Sequence, residues 1–69
     1  MDYEKIENDV KEFVLKQLDL AKTYPQYSFD YRGVAYGAVQ FACNYCFPCW
    51  NDDLASWWND MAQCFTMVQ

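Results

Sequence analysis

Apolar residues recur along the first third of the chain in steps of three and four: Tyr3, Ile6, Val10, Phe13, Val14, Leu18, Ala21 and Tyr24. Glu4, Lys5, Asn8, Asp9, Lys11, Glu12, Lys16 and Asp19 fill the opposite face. That is the period of a helix and not the alternation of a strand. Glu7 and Lys11, like Glu12 and Lys16, stand four apart with the acid first, the order that supports a helix. Asp2 is placed to cap the start, and Pro25 pushes Tyr24 out of helical geometry. A helix is expected near 3–24.

The connector Tyr24-Pro25-Gln26-Tyr27 follows, with Ser28 or Asp30 available to cap the next element. From there to Phe47 the pattern changes. Arg32, Tyr36, Gln40 and Asn44 form one narrow polar line at helical spacing, and nearly everything else is apolar. The run is too long for a strand, so it predicts a helix near 30–47 that is buried on most of its circumference. Gly33, Gly37, Ala38 and Ala42 are small enough to admit close neighbours, at a cost in helix propensity.

Pro48 ends that segment, and Asn51, followed by Asp52 and Asp53, offers a cap and two carboxylates to the start of a third helix. Leu54, Trp57, Trp58, Met61, Cys64, Phe65 and Val68 carry its apolar stripe. The expected architecture is a single domain over residues 1–69, an all-α three-helix bundle with helices near 3–24, 30–47 and 51–68.

Charge sharpens the picture. Ten acidic residues against five basic ones give a net charge of −5, with no charge from Gly33 to Asn51. Direct nucleic-acid binding is not expected, because it needs clustered lysine and arginine. No secretory leader is evident in the opening residues, and the uncharged stretch is diluted by Gln40, Asn44 and tyrosines, so no membrane span is expected either. The expected compartment is the cytoplasm, where cysteines stay reduced.

Cys43-x2-Cys46-x2-Cys49, with Cys64 beyond, is the one constellation resembling a ligand set. Four thiolates would suit zinc or an iron–sulfur cluster. With antiparallel helices turning at Pro48, however, Cys64 lies roughly 20 Å up the third helix. That leaves Cys43, Cys46 and Cys49 as a three-thiol candidate set without a histidine. Burial as free thiols is the stronger expectation, and no cofactor is expected. Cys46-Phe47-Pro48-Cys49 matches a redox spacing but lacks the strand-then-helix setting such a motif uses. The chain has no histidine, no phosphate loop, and serines without a base, so an enzyme is not expected.

What remains is aromatic excess: fourteen rings in 69 residues. So small a chain cannot hide them all, which points to a surface covered by a partner or a second copy. Trp57, Trp58, Tyr36 and Trp50 are the candidate partner-binding residues. Adjacent helix positions diverge by about 100°, which allows one of Trp57 and Trp58 to face the core while the other reaches its margin; the alternative is that both belong to a wide core stripe. The function expected is non-enzymatic protein–protein interaction, as a homodimer binding a protein partner. The alternatives are an inhibitor that presents carboxylates to a nucleic-acid-binding protein, and a cysteine-ligated metal or redox module.

Overall fold

The computed structural model describes residues 2–67, and side-chain surroundings through residue 63. Three helices make up the fold: α1, Tyr3–Thr23; α2, Ser28–Phe41; and α3, Asp52–Met67. The described chain contains no strand. No described helix is long and apolar enough to cross a membrane.

The ends form for local reasons. Asp2 is the α1 N-cap, its carboxylate accepting from the Lys5 backbone N–H at 3.0 Å. Asn51 does the same for α3, its Oδ1 accepting from the Leu54 N–H at 3.0 Å. Each satisfies an amide that the first turn leaves without a partner. Asp52 and Asp53 then sit at the positive end of the α3 dipole.

The start of α2 differs from expectation. Neither Ser28 nor Asp30 caps it; a 3-10 turn, Pro25–Tyr27, runs directly into the helix, and no side chain caps at Tyr27. Pro25 fixes the first residue of that turn, and the Tyr27 N–H reaches the Tyr24 carbonyl at 2.9 Å. The chain therefore enters α2 already coiled. At its far end α2 widens into a π turn, Ala42–Cys46, before the bend that contains Pro48. There Asn44 Nδ2 donates to the Gln40 carbonyl at 2.8 Å, a side-chain bond where the backbone ladder changes register.

All three helices pack antiparallel to their sequence neighbour. The Tyr3 ring meets Phe47 at 6.0 Å, which sets α1 beside α2 head to tail. Cys43 lies against the Asn51 carbonyl and Tyr36 against Trp58, so α3 runs back along α2. The core is a strip between them: Val14, Leu18, Ala35, Val39, Ala42, Cys43, Leu54 and Trp58. Val14, Ala35 and Leu54 expose nothing. Full burial of a Val or Leu side chain stabilises by about 1.5–3 kcal/mol.

The middle helix is not buried on most of its circumference. Its inward side consists of the small residues Ala35, Val39, Ala42 and Cys43, whereas Phe29, Val34, Tyr36 and Phe41 are exposed. Two neighbours cover one arc of α2 and leave the rest of its apolar surface outside.

Candidate interaction surface

Among the described residues the core contains a single ring, that of Trp58, which is 6% exposed. Nine of the thirteen aromatic residues whose side chains are described are exposed: Tyr3, Phe13, Tyr24, Tyr27, Phe29, Tyr36, Phe41, Tyr45 and Trp50. Small side chains are inside and rings are outside. The cause is geometric: helices that approach closely along Ala35, Val39 and Ala42 leave no room for a ring between them.

The four candidate residues separate accordingly. Trp58 belongs to the core, where Tyr36 covers it at 5.8 Å with the rings tilted by 41°. Trp57 is half-buried at the core margin, with Lys11 Nζ 5.6 Å from its ring centroid. Lys11 also pairs with Glu7 at 3.3 Å, so one α1 side chain links an ion pair to a cation–π contact on α3. Tyr36 is half-exposed, and its hydroxyl accepts from Gln40 Nε2 at 2.9 Å. Trp50 stands exposed in the turn before α3, away from the other three in sequence. The structure joins Tyr36 with Trp58 and holds Trp57 against α1.

Two grooves flank α2. One lies between α2 and α3, lined by Phe29, Gly33, Tyr36, Trp58 and Ala62 together with Arg32. The other lies between α1 and α2, where Val10, Phe13, Ala38, Phe41 and Cys46 form an apolar floor with Asp9 at its edge. Beside this second groove Val34, Phe41 and Tyr45 stand 50%, 61% and 76% exposed. The Phe41 and Tyr45 rings touch at 5.1 Å, so the stripe continues across the π turn.

Phe13, Val34 and Phe41 were not among the sequence candidates, whereas Tyr45, like Tyr31, was a weaker one. Their signal is the 4-3-4 spacing of positions 34, 38, 41 and 45, which places them within about 60° of one another on a helix. The periodicity is legible, but it reads equally well as a buried stripe.

The cysteines do not converge. Cys43 is buried, Cys46 half-buried and Cys49 exposed. Among the described residues no three His, Cys, Asp or Glu side chains gather so as to hold a metal ion. The Cys64 side chain lies outside the described ones. Cys43 Sγ donates to the Asn51 carbonyl at 3.7 Å. Burial pushes its thiol above the ordinary range; the hydrogen bond to the Asn51 carbonyl opposes this in part, and the Asp52 and Glu7 carboxylates add smaller upward pushes. A thiol held neutral in this way is a poor nucleophile and a poor metal ligand.

The fold and its surface define a small all-α bundle with an uncharged, ring-rich outer arc. No protein-family model, curated protein or solved structure matches the chain.

Proposed function

We propose that this chain is a non-enzymatic protein–protein interaction module that works as a homodimer through its aromatic-rich helical surface. The observation that carries this reading is the placement of nine of the thirteen described aromatic residues on the outside of a domain whose middle helix turns its small side chains inward. Exposed apolar patches of this kind mark surfaces that another molecule covers. Rings are also the side chains that most often dominate binding energy at interfaces. Four of the ten acidic residues serve the fold: Asp2 caps α1, Glu7 pairs with Lys11, and Asp52 and Asp53 occupy the first turn of α3.

Sedimentation velocity across the micromolar range, in low and in high salt, tests the reading. Contact through rings predicts association that persists or strengthens as salt rises. Association that collapses with salt would point instead to carboxylates as the binding groups. A monomer at every concentration and salt level would refute the homodimer.

A further inference from the structure

We infer that a second copy of this chain covers the α1–α2 groove, its α2 lying antiparallel against the Val34–Ala38–Phe41–Tyr45 stripe about a two-fold axis between Ala38 and Phe41. This rests on the homodimer reading and says which face is used. It leaves the α2–α3 groove outside the interface.

Three observations select this face and this occupant. The first is self-complementarity. An isologous contact requires that if residue i meets residue j, then j meets i. A two-fold between Ala38 and Phe41 sets Ala38 of one copy against Phe41 of the other, and Val34 against Tyr45. Each layer then matches a small side chain with a ring, which close packing of two helices requires.

The second is charge. This chain carries a net charge of −5, so most of its surface repels a copy of itself, yet no charged residue lies between Gly33 and Asn51. The stripe is the part of the surface that a like-charged copy can approach. Asp9 borders the groove.

The third is area. At about 200 Å² for a whole ring side chain, the exposed fractions of 42% for Phe13, 61% for Phe41 and 76% for Tyr45 leave about 350 Å² of ring per chain. Two copies bring about 700 Å² from six rings, more than half of the roughly 1,200 Å² at which specific interfaces begin. Gly37, at the edge of the stripe, agrees with this. Its φ is not positive, and a Cβ there would meet nothing within 4 Å. Neither backbone conformation nor packing within the chain calls for glycine there, whereas an approaching second helix gains from it.

The test is the dimer dissociation constant measured by sedimentation, with helicity checked for each variant. Phe41→Asp should weaken the dimer at least about 100-fold, since the two-fold doubles every substitution. Phe29→Asp, on an even more exposed ring of the other groove, should leave it within about threefold, as a residue outside the contact does. Val34→Lys alone should weaken the dimer, and adding Tyr45→Glu should restore it, because the antiparallel register pairs those positions between copies. A wild-type chain that stays monomeric would overturn both the inference and the homodimer reading, leaving the face to a different protein. A dimer that survives Phe41→Asp, or that Phe29→Asp dissociates, would overturn this face while the homodimer reading stands. Failure of the Val34→Lys/Tyr45→Glu pair to recover would overturn the antiparallel register.

Discussion

Truncating Leu54 to alanine asks whether α3 is held by its burial against the α1–α2 pair. Leu54 exposes nothing and belongs to the cluster that includes Val14, Leu18, Val39, Cys43 and Trp58. Removing three buried carbons forfeits about 2.4 kcal/mol at about 0.8 kcal/mol each. The cavity left behind closes only in part, which raises the loss to about 3–4 kcal/mol. A domain of this length holds about 3–10 kcal/mol in all. The substitution therefore removes a large share of the total. With about 4–8 °C of melting midpoint per kcal/mol at this size, the midpoint should fall by about 12–30 °C. Leu15→Ala is the matched control: the same chemistry on α1, but at a position 46% exposed. It should change stability by no more than about 0.5 kcal/mol. Both melts are followed by circular dichroism at one protein concentration, because self-association makes the midpoint depend on concentration. Equal, small shifts in the two variants would refute the docking of α3 through Leu54.

Asn51→Ala removes the acceptor for the Leu54 N–H and should cost about 1 kcal/mol, whereas Asn51→Asp should retain most of it; urea melts decide. If the two variants were equally destabilised, the side-chain cap would not be what starts α3. The thiols should alkylate in the order Cys49, Cys46, Cys43 in the native protein and at similar rates in urea, read by peptide mass; Cys43 reacting as fast as Cys49 would contradict its burial. The same raised thiol has a consequence for pH. Cys43 is held neutral in the folded state, so its contribution is fully present below the ordinary thiol value of about 8.5 and is lost as pH climbs from there through the raised folded value. The stability advantage of wild type over Cys43→Ala should shrink across that alkaline interval, and an advantage that grew with pH would reverse the assigned direction.

The elements most legible in the sequence were those where charge opposed an apolar stripe. In α1 the lysines and glutamates leave one side to face inward, and Val14, Leu18 and Ala21 are buried on it. Asp2 and Asn51 could be assigned as caps because an N-cap needs only a short acceptor before a helical run, a condition local to the chain. For Trp57 and Trp58, adjacency allowed one inside and one at the edge, or both in a wide core stripe. It could not say which, since either follows Leu54 at helical spacing. Packing chose Trp58, beside Tyr36. In α2 the sequence was ambiguous in a specific way. Positions 35, 39, 42 and 46 form one apolar stripe and positions 34, 38, 41 and 45 another, one residue apart. Nothing charged distinguishes them, and hydrophobicity alone favours burying the rings. Close approach of helices favours burying the small residues, and that term prevailed. The π turn at Ala42–Cys46 had no signal in the sequence either; it depends on where Pro48 stops the helix and how Cys43 reaches the Asn51 carbonyl.

That choice between stripes links the fold to the proposed activity. A three-helix bundle of this length has one narrow core, and the central helix must show small side chains to both neighbours. Its large apolar residues are then directed outward by the same geometry that makes the core tight. A chain working as a lone monomer would gain solubility from lysine or glutamate at those outward positions, as on the outer faces of α1. Here the outward positions of α2 and the π turn carry Val34, Phe41 and Tyr45, and beyond Asp30 and Arg32 near the start of α2 no charge appears until α3. Lengthening the core side chains should therefore not rescue the exposed rings. Ala35, with no exposed surface, has no room for an added ring without parting α1 from α2. The rings can leave water only by contact with another chain, and a face without charge on an acidic protein is one that a second copy can meet without repulsion.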